Sequence, residues 1–189
     1  MSPTFDLAVF SGQHALHAVD AAGALRWRVR HACWGSPCSS FHDSYEEYAG
    51  IDGHRHPDWG SCRISADGST VWAHVRTPLP DDVEPKPDEE WLVLDTLDGR
   101  VLGRASTDNA AAGSHHVPHP DPGQMGLSVG EGQDGVPLRW GRWDVPDSPS
   151  TASRMTTAAS STSALAGRSS SPSPTSRANW RSTAFPTVL

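Results

Sequence analysis

Asp-Gly dipeptides set between short apolar runs constrain this chain more than any other feature. Such a pair suits a tight hairpin turn, because glycine takes a positive φ without the Cβ penalty. It occurs in hairpin register at Asp67-Gly68, Asp98-Gly99 and Asp134-Gly135. Around these turns, residues 62–64 meet 70–75, 91–94 meet 100–104, and 125–129 meet 137–143. Upstream, 7–10 and 15–19 lead into 24–30, where Leu25, Trp27 and Val29 alternate with arginines. That alternation has the period of two expected of a half-buried strand. No amphipathic helix of convincing length is present, and the predicted fold is all-β.

The hairpins also repeat. Segments 19–25 and 94–101 share an aliphatic residue, an aspartate, a short turn ending in glycine and a renewed strand. Residues 61–106 then make one four-strand unit of propeller-blade length. The spacing predicts a partial β-propeller of two to three four-stranded antiparallel blades over residues 1–146, with a long inserted loop at 31–60. A β-sandwich with Asp-Gly hairpins is the alternative.

Leu7-Ala8-Val9-Phe10, Ser44-Tyr45-Glu46-Glu47-Tyr48, the stretch 119–128, Gly130, Gly132, Gly135 and Arg139-Trp140-Gly141-Arg142-Trp143-Asp144 together resemble uncharacterised actinobacterial β-propellers of the WD-repeat or quinoprotein-like kind. The resemblance covers residues 5–144. It implies a fold and no activity, so it assigns no catalytic residue. The Gly-His and terminal Trp-Asp landmarks of WD repeats are mostly missing, and Trp143-Asp144 is the only Trp-Asp pair.

Charge divides the chain. Of its 22 acidic residues only Asp147 lies in 147–189, a segment with twelve serines and seven threonines. A net charge of −7 speaks against nucleic acid or an anionic membrane as partner. No run is long and apolar enough to span a bilayer, and residues 1–6 lack signal-peptide character. Three cysteines cannot form a complete disulfide framework, which points to a reducing compartment, the cytoplasm.

Residues 147–189 read as a Ser/Thr-rich, disordered tail. The genetic code adds a sharper reading. If each codon's last base is joined to the next codon's first two, Asn179 and Trp180 must encode Leu. Trp180 with a CGN codon for Arg181 encodes Ala. The shifted frame then resumes as Leu-Ala-aliphatic, like Leu7-Ala8-Val9, which predicts a frameshift near residues 144–149. A propeller truncated there cannot close, leaving strand edges and faces such as Trp72, Trp91 and Trp140 partly uncovered and the chain unstable alone.

Two clusters have metal-ligand chemistry. In the 31–60 loop, Cys33, Cys38, His42, His54 and His56 offer the thiolate and imidazole set that zinc binds tetrahedrally. Cys33-x4-Cys38-x3-His42 is close to chelating spacing but matches no standard finger. A second set, His115, His116, His119 and Asp121, lies in a proline-stiffened segment and could hold a catalytic metal with an open position. The glycines of 126–135 lack the Gly-Lys-Ser/Thr ending of a phosphate loop, and the acidic residues of 81–90 follow no calcium pattern. No Ser-His-Asp order or nucleophile elbow is visible.

The predicted function is a non-catalytic interaction or scaffold module with a protein partner. The alternative is a metal-dependent enzyme or metal-binding protein using a His-rich loop.

Overall fold

The computed structural model describes residues 2–4, 6–35, 38, 40–54, 59–83, 88–108, 113–130, 136–144 and 154–160. Its strands form three separate antiparallel meanders, none closed. The first sheet is β1 (Leu7–Ser11), β2 (Ala15–Asp20) and β3 (Leu25–Arg30). The second is β4 (Cys62–Ile64), β5 (Thr70–Arg76), β6 (Glu89–Asp95) and β7 (Val101–Ser106). The third is β8 (Ser114–Pro118), β9 (Gln124–Val129), β10 (Leu138–Asp144) and β11 (Arg154–Ser160). The first strands of successive sheets lie side by side, β1 against β4 and β4 against β8, while β7 meets β11 at the far edge. This is the arrangement of consecutive propeller blades in an open stack of three.

The turns form for the reason their sequences suggest. Gly68 and Gly99 take φ of +81° and +74°. Beside Gly68, the Asp67 carboxylate accepts the Ser69 amide at 3.0 Å and the Ser65 hydroxyl at 2.7 Å. The third pair, Asp134-Gly135, lies outside the described residues, although β9 and β10 on either side of it pair in register.

The middle sheet is buried on both faces. Val71, Ala73, Val75, Leu92 and Leu94 pack against Leu16, Ala18 and Trp27 of the first sheet. Trp72, Trp91 and Val93, on the opposite face, pack against Met125, Leu127, Val129 and Trp143 of the third. Strand β5 therefore reads Thr-Val-Trp-Ala-His-Val-Arg without clean alternation, as a strand covered on both sides should. Trp72 and Trp91 are fully buried, against the expectation of partial exposure, because the third sheet covers them completely.

A second correction concerns the tail. Strand β11 falls inside the Ser/Thr-rich segment and pairs with β10 from Leu138↔Ser160 to Asp144↔Arg154. Its alternation is hidden because Met155 turns to the core while Thr156, Thr157 and Ala158 are exposed. β-Branched threonines suit such an edge strand without marking it as hydrophobic. Residues 161–189 lie outside the described set.

The first sheet has three strands rather than four among the described residues. In place of a fourth, the chain leaves β3 for an excursion containing 3₁₀ turns at Tyr45–Glu47 and Asp52–His54. Asp43 of this excursion returns to the β3 arginines, 2.8 Å from Arg30 and 3.7 Å from Arg28. No helix among the described residues is long and apolar enough to cross a membrane.

Candidate metal centre

The excursion begins by burying itself. His31, Ala32, Cys33 and Trp34 are essentially inaccessible, held by Ala32 N–H to Pro78 O (3.0 Å) and Trp34 N–H to Gln13 O (2.9 Å). The chain then turns, and Cys38, His42 and His54 come back over Cys33. One ligand atom from each of Cys33, Cys38, His42 and His54 lies within 4.8 Å of the other three. Around a tetrahedral zinc, ligand atoms stand about 3.3–3.8 Å apart, given Zn–S of about 2.3 Å and Zn–N of about 2.0 Å. Cys38 Sγ and His42 Nε2 are already 3.4 Å apart, so a small contraction of the others closes the shell.

The surroundings orient these groups. His42 Nδ1 faces Glu47 Oε2 at 3.3 Å, which leaves Nε2, the nitrogen beside Cys38, to bind metal. A carboxylate behind a ligating histidine fixes its tautomer and raises its basicity. Glu47 is itself held by the Asp43 amide at 3.1 Å. Cys33 Sγ accepts the Gly35 amide at 3.3 Å and Gln13 Nε2 at 3.6 Å, contacts that favour a thiolate. Burial nevertheless pushes the Cys33 thiol up, and neighbouring Cys38 adds to that shift.

His54 gives the clearest sign of an intended ligand. Tyr48 stacks on its ring, with centroids 5.1 Å apart and planes at 24°. Gly35 lies against the ring so closely that a Cβ there would come within 2.5 Å of His54 Cδ2. Both ring nitrogens are buried with no hydrogen-bond partner among the described residues. Such orphaned polar atoms are rare in folded proteins, and a bound cation would satisfy one of them. His56 lies outside the described residues. Cys62 belongs elsewhere, 3.5 Å from Val9 O, with its thiol pushed by burial up to about 11.

The His115–Asp121 set does not converge. Strand alternation sends His115 to one face of β8 and His116 to the other. His116 is buried and has both nitrogens engaged, Nδ1 with Ser61 Oγ at 2.8 Å and Nε2 with the Trp91 indole N–H at 2.9 Å. His119 packs edge-on against Trp140 and accepts the Asp121 amide, while Asp121 caps Gly123 N and Gln124 Nε2. These are turn and packing roles. In the acidic loop, Asp82 and Glu90 both bind Arg104.

Sequence reasoning missed Glu47, Gln13 and Tyr48, which support the metal cluster. It also missed His74, Glu89, Ser61 and Ser114, which meet between the second and third sheets. None of these has a local spacing signal, because separate strands and loops bring them together. No protein-family model, curated protein or solved structure matches the chain.

Proposed function

We propose that this chain is a metal-stapled propeller module in which Cys33, Cys38, His42 and His54 bind one zinc ion. The observation that carries this reading is the convergence of four soft or borderline ligands, one of them the otherwise unpartnered His54. Two thiolates with two imidazoles favour zinc over magnesium or calcium. Four protein ligands leave no open position for water, so the centre is structural rather than hydrolytic. Its work is to fasten the 31–54 excursion where a fourth strand would otherwise lie.

A module of this kind acts by presenting a surface. Beside His54 is a cleft lined by Gln13, Tyr45, Tyr48 and Ile51, and Tyr45 and Ile51 are well exposed. Aromatic residues at the mouth of a rigidly held loop suit a protein partner, and the net charge of −7 favours a cationic one. Cys33, Cys38 and Cys62, none of them in a disulfide, fit the cytoplasm. The exposed Phe10 and Leu25 of the first sheet support the view that these blades belong to a longer propeller.

Elemental analysis of the purified full chain tests the metal reading. The expected result is one zinc per chain, lost in Cys38→Ser and His54→Ala, with a lower Tm after chelation. A folded chain that neither retains zinc nor gains thermal stability from added zinc overturns it.

A further inference from the structure

A second constellation, separate from the metal centre, lies in the seam between the second and third sheets. Trp91 Nε1 is 2.9 Å from His116 Nε2, and His116 Nδ1 is 2.8 Å from Ser61 Oγ. Ser61 Oγ is 2.9 Å from Ser114 Oγ, and Ser114 Oγ is 2.9 Å from His74 Nδ1. His74 Nε2 then lies 3.0 Å from Glu89 Oε2.

The direction of this chain follows from its two ends. An indole N–H can only donate, so His116 Nε2 must accept and its Nδ1 must carry the proton. That proton goes to Ser61. At the other end the Glu89 carboxylate, 3.0 Å from His74 Nε2, calls for the proton of the neutral His74 ring on Nε2, so Nδ1 accepts from the Ser114 hydroxyl and Ser114 in turn accepts from Ser61. Ser114 thus points its proton at an imidazole whose other nitrogen is in ion-pair contact with a carboxylate, the relation that activates a serine nucleophile. That contact lies off the hydrogen-bond line and tightens when the ring takes up the Ser114 proton. His74 and Glu89 are buried, whereas Ser114 is only partly so. Next to Ser114, the exposed Trp59 lies over Gly113.

Gly60 fixes this geometry. A Cβ at residue 60 would come within 1.9 Å of the His74 carbonyl oxygen, so only glycine allows the chain to run this close. Ser61 O then accepts the His74 amide at 2.8 Å, which sets Ser61 beside Ser114.

We propose that Ser114 is a nucleophilic serine activated by His74 and Glu89 and acylated by small activated esters that reach its partly exposed hydroxyl. In the attack, the Ser114 oxygen bonds to the acyl carbon and its proton passes to His74 Nδ1. Glu89 stabilises the imidazolium, and the ester alkoxide leaves with the proton from His74.

A fluorophosphonate probe on the full-length folded chain tests this directly. The phosphorus–oxygen bond forms as fluoride leaves, and peptide mass spectrometry locates the adduct. Labelling is expected on Ser114, absent in Ser114→Ala, at least tenfold slower in His74→Asn and Glu89→Gln, and abolished by urea. Absence of a Ser114 adduct on the folded wild-type chain overturns the proposal. So does labelling that persists in urea, or a folded Glu89→Gln protein that reacts at the wild-type rate. Zinc content is read separately, so failure here leaves the metal reading standing.

Discussion

Arg104 grips Asp82 with two nearly parallel hydrogen bonds, Nη1 to Oδ1 at 2.6 Å and Nη2 to Oδ2 at 2.9 Å. Its Nε also donates to Glu90 at 2.7 Å, and both carboxylates are almost entirely buried. The clamp ties the loop after β5 to strands β6 and β7. Removing the cation strands two buried negative charges, a loss of about 3–5 kcal/mol for such a pair. Arg104→Ala is therefore expected to lower the urea midpoint sharply. Arg104→Lys should recover only part of it, because a point charge cannot reproduce the bidentate fork. Equal stability of Arg104→Ala and wild type would show the clamp to be energetically idle.

Acid should weaken the seam. Burial lowers the His116 imidazole to about 3, with His74, Arg63 and His115 adding repulsion, against 6.5 for a free histidine. Glu89, across from His74, is the carboxylate of the same network. Between pH 6.5 and about 3 the unfolded chain takes up a proton that folded His116 refuses. This contribution is complete above pH 6.5 and is lost progressively as pH falls. Thermal melts across that range should show a shallower pH slope for His116→Asn than for wild type. Parallel slopes would assign the acid sensitivity to other groups.

Glu47 should matter to metal binding without being a ligand. Glu47→Gln keeps the size of the side chain but weakens its hold on His42 Nδ1. Loss of such a supporting carboxylate typically costs 10–100-fold in metal affinity. Competition with a chromogenic chelator should show that drop while stoichiometry at saturating zinc stays at one per chain.

The outer face of the first sheet should govern solubility. Phe10 and Leu25 are 55% and 58% exposed on the face of the first sheet turned away from the middle sheet. Changing both to serine should reduce self-association, measured by light scattering, while moving stability by no more than about 0.5 kcal/mol. A large fall in Tm would mean that the face is covered.

The all-β architecture was legible because local chemistry determines it. Asp67-Gly68 and Asp98-Gly99 are turns by sequence and by φ. Strand β11 was not legible, since an edge strand that sets Met155 against the core between exposed threonines shows no apolar pattern. The metal cluster was half legible. Cys33, Cys38 and His42 lie close in the chain, but the stacking of Tyr48 on His54 and the Glu47 contact depend on turns that spacing does not specify. His116 misled because histidine is as useful for joining two strands through neutral hydrogen bonds as for binding metal. Only the Trp91 indole at 2.9 Å distinguishes the two roles.

The doubly covered middle sheet has a consequence for how such a chain can change over generations. In the first sheet, residues such as Phe10, Leu25 and Arg28 face outward and can drift. In β5 and β6, neighbouring codons answer to different cores, so a substitution at Ala73 presses on one sheet and a substitution at Trp72 on the other. Drift should be slowest there, and the strands that look least patterned to a reader should be the most tightly held by selection.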